Sequence, residues 1–315
     1  MKYRVALLSL VLFVSVGIWL SPSRAELSAG GTAQLIVTPV TIKLNGFAES
    51  PPASSLPAAG PLADASAIQE AHEVNELNTE QVRALTPEQS AAPSYDATLP
   101  VGGSTRRRRQ QQAQAITLSG PILTFEGIAE ADGNGVAPPD TNGDVGPNDY
   151  VEAVNNMIRI YDKAGNPRGP GFRQSSLFAA VGGLASLIDD GDPIVLYDRM
   201  ANRWLISQFL FTSSTTPPYH EAIAISKTGD PTGAYYVYDF VLPGNEFPDY
   251  PKFGVWPDGY YMTSNQFLNG GGFDGGGAFA FDRNKMLVGD PTAVGVYFNL
   301  NLASHPEGIF GMLPS

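Results

Sequence analysis

The sequence predicts an all-β fold, a β-propeller of four-stranded blades, behind a largely disordered N-terminal region. Three observations predict it. Charged residues make up only 16% of the chain while glycine (34) and proline (26) are frequent, a balance that suits short strands and tight turns. Strand–turn–strand passages recur, and their second strands open on Tyr150, Trp204 and Tyr260, spaced 54 and 56 residues apart. Each passage is followed by a further apolar strand, a polar residue and a base. Four short strands on such a period are what propeller blades require. A β-sandwich needs no such repeat, and a β-helix repeats on a much shorter period.

The chain opens with the basic Met1-Lys2-Tyr3-Arg4, an apolar run from Val5 to Leu20, and the small-residue site Ser23-Arg24-Ala25. These are the three parts of a secretory signal, with cleavage expected after Ala25 and a secreted or periplasmic destination. The competing reading, an uncleaved anchor, needs a span of about 20 apolar residues. Here the run is shorter and Pro22 ends it. Cleavage removes Lys2, Arg4 and Arg24 and no acid, which takes the formal charge from −12 to −15. Such a surface repels nucleic acid and anionic lipid and favours cation binding. No cysteine is present, so disulfides and thiolate ligands are excluded.

Residues 26–115 read as a low-complexity linker region. Gln34–Val37 and Val40–Leu44 have the composition of short strands, and Glu49–Leu62 is rich in Pro, Ala and Ser. Over residues 65–85, Ile68, Ala71, Val74, Leu77, Val82 and Leu85 recur at helical spacing behind Asp64 as N-cap, which predicts one amphipathic helix. The run Arg106–Arg109 is either a solvated basic stretch or a processing or anion-contact site.

The repeat domain is expected over 116–315. Its first strands lie at Asp144–Gly146, Asp192–Tyr197 and Asp249–Trp256, its third at Ile158–Tyr161, Ala222–Ile225 and Ala278–Phe281, and fourth strands at Tyr235–Phe240 and Val294–Phe298. His305–Met312 reads as the start of a fourth unit, about three and a half blades in all, so the chain reads as truncated. The glycine clusters Gly270–Gly272 and Gly275–Gly277 read as a flexible hairpin loop.

Candidate sites follow from spacing. Asp140, Asn142 and Asp144 place oxygen side chains at alternate positions, with Asn148 and Asp149 after them, a pattern that can converge on Ca²⁺. No Gly stands at the sixth position and no bidentate Glu at the twelfth, so this is no EF-hand, and the favoured alternative is a turn capped by its own Asp and Asn side chains. Asp144, Asp192 and Asp249 precede the first strands of successive units. Equivalent blade positions ring the propeller axis, so these carboxylates form a candidate ligand mouth, or else three repeated turn caps. His220 and Glu221 carry acid–base chemistry and join Asp192 and Asp249 as a possible ligand mouth, but neighbours on a strand face opposite sides, so both would not point at one substrate. Asn155, Gln208 and Asn265 fall at matching points of second strands, where amides bind sugar hydroxyls or satisfy backbone groups. Phosphate loops, zinc signatures and Gly-x-Ser-x-Gly elbows are absent.

Pro138 to Phe267 carries the phrases Pro-Pro-Asp-Thr-Asn-Gly-Asp-Val-Gly-Pro-Asn (138–148), Gly-Asp-Pro-Ile-Val-Leu-Tyr-Asp-Arg (191–199) and Asp-Tyr-Pro-Lys-Phe-Gly-Val-Trp-Pro-Asp-Gly-Tyr-Tyr (249–261). On these the chain resembles a largely uncharacterised family of secreted bacterial propeller proteins, with a blade pattern similar to sialidases. The resemblance covers less than half the chain. It implies a secreted propeller and transfers no catalytic residue. The Ser-x-Asp-x-Gly-x-x-Trp turn of sialidases is missing, and Arg159, Arg168, Arg173, Arg199, Arg203 and Arg283 share no blade position. Three functions are consistent with this reading: a module recognising a glycan or other surface polymer, a glycoside hydrolase or lyase, and a structural surface module.

Overall fold

A computed structural model describes residues 37–60, 123–129, 132, 138–189, 191–306 and 308–314. The signal segment, the 65–85 helix and Arg106–Arg109 lie outside the described residues. Everything below belongs to the unit Val37–Ser315.

Strand β1 (Val40–Glu49) comes first in the chain, and three antiparallel meanders follow. The first contains β2 (Asn142–Val145), β3 (Asp149–Val154), β4 (Met157–Asp162) and β5 (Phe172–Arg173), and leads into a short helix, α1 (Gln174–Phe178). Strands β6 (Ile194–Asp198), β7 (Arg203–Leu210), β8 (Tyr219–Ser226) and β9 (Tyr235–Leu242) make the second. The third is β10 (Glu246–Val255), β11 (Tyr260–Leu268), β12 (Phe273–Phe281), the one-turn helix α2 (Arg283–Met286) and β13 (Gly295–Asn301). Within each meander the strands pair in chain order, and β6 packs beside both β2 and β10. The first strands of successive sheets are therefore neighbours, which is the blade arrangement of a propeller.

Period-2 alternation explains how the blades stack. One face of the second blade sends Val195, Ile206, Ala222 and Val237 against Val151, Ile158 and Phe172 of the first. Its other face sends Ile194, Leu205, Ile223, Tyr238 and Phe240 against Phe253, Met262, Phe279 and Phe281 of the third. Burying each such side chain contributes roughly 1.5–3 kcal/mol. The second strands begin where their spacing predicts, and Trp204 and Tyr260 are fully buried.

Several expectations change. The short strand expected at Val40–Leu44 forms and runs on to Glu49, the first residue of the Pro- and Ala-rich segment: β1 pairs through Val40–Ile42 with β13 and through Lys43–Glu49 with β9, across a bulge between Leu44 and Gly46. It joins two blades into one nine-stranded sheet. The first blade has a fourth strand of only two residues, too short for a periodic signal to show. Strand β8 starts at Tyr219, so His220 and Glu221 stand inside a strand rather than ahead of one. Gly275–Gly277 also belong to a strand, β12, where Gly275 has φ 113° and a Cβ on it would come within 2.3 Å of the Leu300 backbone oxygen. That glycine is there for close approach, not for looseness. Residues 302–314 form no further strand among the described residues. They pack on the third blade, with Gly311 N–H donating to Asn265 Oδ1 (2.9 Å) and Thr263 Oγ1 donating to Met312 O (2.6 Å).

Candidate functional site

The three aspartates ahead of the blades have different fates. Asp144 Oδ2 accepts from Tyr197 N–H at 2.7 Å, and Asn142 Oδ1 accepts from Val195 N–H at 2.8 Å. Both side chains lie on the edge of β2 and cap the neighbouring first strand. Asp192 repeats the device one blade on, its Oδ2 accepting from Tyr250 N–H at 3.1 Å. These contacts staple blade to blade.

Two of the oxygens expected for calcium, on Asn142 and Asp144, are thus turned to backbone donors of the next blade. Asp144 Oδ1 also accepts from Val145 N–H (2.7 Å), and Asp149 is buried in an ion pair with Arg168 (2.5 Å) that Asp230 shares. Asn148 is exposed. Among the described residues no three His, Asp or Glu side chains are grouped as a metal would need.

Three carboxyls do interact electrostatically at the mouth, without the convergence a metal needs and with a different membership. Asp192 and Asp249 face Asp140 rather than Asp144, and Lys252 stands among them. All four residues are half-buried. Burial, and then the charges of Asp249 and Asp140, push the Asp192 carboxyl up to about 7, while Lys252 and the Tyr250 N–H pull the other way. Burial lowers the Lys252 ammonium against the pull of the three aspartates.

Glu221 lies behind this cluster. It is 0% exposed, neither carboxylate oxygen has a hydrogen-bond partner, and burial pushes it up to about 8, opposed by the Ser207 hydroxyl beside it and reinforced by Asp192. Ser207 sits near Glu221 without hydrogen-bonding geometry. His220 points to the opposite face of β8. Its Nδ1 meets Asp239 Oδ1 at 2.7 Å, and Asp239 Oδ2 accepts from Asn45 on the β1 bulge at 2.6 Å. Of the four residues taken as a mouth, Asp192, Asp249 and Glu221 come together and His220 does not.

Backbone geometry marks the same place. Asp140, Asn155, Asp192 and Tyr250 all have positive φ, between 40° and 54°. Asn155 ends the first blade's second strand and donates to Pro138 O at 2.6 Å. A Cβ on Gly191 would come within 2.2 Å of Asn155 Oδ1, so only glycine fits ahead of Asp192. Gln208 Nε2 reaches only Ile188 O, at 3.5 Å, and its Oε1 is buried and unpartnered. Asn265 is committed to Gly311. Three amides at one register thus have three different partners.

Tyr250, Lys252 and Asp140 were not singled out as mouth residues from sequence. Tyr250 is 54% exposed, and the Lys252 ammonium lies 3.4 Å from its ring centroid. Proline after tyrosine in Asp-Tyr-Pro-Lys was the available signal, because proline inside a strand marks an edge or a bulge.

Against known proteins, no family model matches the chain, and no curated protein matches it in sequence. Two solved structures are similar to part of it. One is a GH43 endo-arabinanase from Bacillus licheniformis, at 12% identity and a TM-score of 0.31, covering 47% of this chain and 52% of that one. The other is a GH43 β-1,3-galactosidase, at 12% identity and a TM-score of 0.29, covering 46% of this chain and 32% of that one. The matches span about half and about a third of those proteins, and the site here is read from its own geometry.

Proposed function

We propose that this chain is an exported propeller that binds a glycan at its mouth and cleaves a glycosidic bond with carboxyl acid–base chemistry. The supporting observation is the gathering of Asp140, Asp192 and Asp249 at the mouth, with the Asp192 carboxyl raised by burial and by its two neighbours. Asp192 holds a proton up to near-neutral pH beside Asp140 and Asp249. Glycosidic cleavage uses such a pair: a protonated carboxyl donates to the leaving oxygen, and an ionised one activates water or attacks the anomeric carbon. In this reading Asp192 is the acid, Asp249 or Asp140 the ionised partner, and Glu221 a buried neutral group that shapes the field behind Asp192.

The test is release of reducing ends from soluble polysaccharides by the full chain and by Asp192→Asn. A general acid contributes roughly 10²–10⁴-fold, so Asp192→Asn should lose at least about a hundredfold in kcat with its melting temperature little changed. Full activity in that variant would overturn the assignment. A second reading, binding without turnover, is favoured by the exposed Tyr250 ring, and would show as retention in a polysaccharide gel with no reducing ends released.

Export rests on the three-part N-terminus. Among the described residues no helix is long and apolar enough to cross a membrane. Mass spectrometry of protein recovered outside the cytoplasm should find Glu26 first, and intact Lys2–Leu20 in that material would refute cleavage.

A further inference from the structure

We propose that the Tyr250 side chain is a preorganised stacking platform for a sugar ring, and that it decides which glycans the mouth retains. The proposal rests on the glycan reading above and adds to it the residue that selects the ligand.

Strand pairing supplies the first reason. Asp249 pairs with Asn265 and Lys252 with Thr263, so Tyr250 and Pro251 together stand opposite Ser264 alone. This is a β-bulge, a device that turns a side chain out of the regular pleat. The first bulge residue here has φ 54°, a left-handed backbone that the G1 type of bulge gives to glycine. A bulky ring kept in a costly conformation at the rim of a site is a functional signature.

The second reason is how the ring is held. Asp192 Oδ2 accepts from the Tyr250 N–H, which ties the strained residue to the carboxyl that the proposed chemistry uses. Lys252 occupies one ring face, and its ammonium is itself anchored by donating to Pro251 O at 3.1 Å. A cation on one face leaves the ring oriented and its remaining surface open to solvent. The C–H face of a sugar is apolar and of matching size, and an aromatic ring fixed before binding loses little entropy on binding. Packing alone does not account for a residue more than half exposed.

Two variants separate platform from scaffold. Tyr250→Gly suits the left-handed backbone, and Tyr250→Phe keeps the ring. Both are measured by thermal melting and by affinity electrophoresis in mixed-linkage glucan, xylan, galactomannan, dextran, alginate and pectate. Tyr250→Gly is expected to melt at or above the wild type and to bind its polysaccharide roughly tenfold more weakly. Tyr250→Phe is expected to bind as the wild type does. A fall of several degrees in melting for Tyr250→Gly would make the ring a structural element and overturn the proposal, as would unchanged affinity. Unchanged affinity in Tyr250→Gly together with lost turnover in Asp192→Asn would sink the platform and leave the glycosidase standing. A wild type that neither binds nor cleaves any of the six polymers would sink both.

Discussion

Glu221 stands across from Phe209 on one neighbouring strand and Phe240 on the other, fully buried, and its carboxyl accepts no hydrogen bond. An acid in that position keeps its proton to about 8, against an ordinary 4.5, so the folded state holds a proton that the unfolded state releases across that interval. Stability must therefore fall as pH rises, by about 1.4 kcal/mol per unit from this group alone. Asp192 adds a slope of the same sign up to about 7. Denaturant unfolding between pH 5 and 8 should show the decline in the wild type, and Glu221→Gln should flatten part of it and be the more stable protein at pH 9. An equal slope in the variant would show that the carboxyl is ionised in the fold. The same residue illustrates what alternation can settle: His220 and Glu221 diverge because consecutive strand side chains do.

Among the elements, blade contacts depend on a few polar pins. Asp198 at the end of β6 is fully buried and meets Arg283 at the start of α2 through two hydrogen bonds (2.7 and 3.1 Å), with Tyr260 of β11 donating to it at 3.0 Å. Burial opposes its ionisation, but Arg283 together with the Ala201 N–H and Tyr260 outweighs burial and holds the carboxyl below its ordinary range. Arg283→Met leaves that charge uncompensated and should cost about 3–5 kcal/mol in urea unfolding. A loss under 1 kcal/mol would mean that water reaches Asp198. Asp144 is the lighter pin between the first two blades. Asp144→Ala should cost about 1–2 kcal/mol by stranding the Tyr197 N–H, equally with and without millimolar calcium. A loss seen only with calcium present would instead make the 140–149 segment the metal site that its spacing suggests.

For the whole molecule, β1 is the element whose strand composition shows at Val40–Leu44 but whose partners do not. Its first three residues pair with β13 and the rest with β9, while Lys227 reaches Glu49 and Tyr235 exchanges two hydrogen bonds with Ser50. If a protease site is engineered between residues 61 and 122 and cut, the piece carrying 37–60 should co-migrate with the blades in native gel filtration and separate only in denaturant. Separation under native conditions would show that β1 is not a structural strand.

The sequence by itself determined the blade repeat, the places where second strands start and the opposed faces of each strand, while the fourth unit it suggested at His305–Met312 is a segment packed on the third blade. Those features follow from local alternation, turn residues and a period near 55, all of which read along the chain. It also marked the end of the blades where the carboxyls would gather. Tertiary structure alone decided which of them meet. Asp140, at φ 41°, joins Asp192 and Asp249, while Asn142 and Asp144, at alternate positions of β2, face the edge of β6. It decided that Val40–Glu49 bridges two blades, since a strand's partners can lie 200 residues away and leave no periodic trace. The Tyr250 bulge was equally out of reach, because a bulge is a mismatch between two strands and only their pairing reveals it.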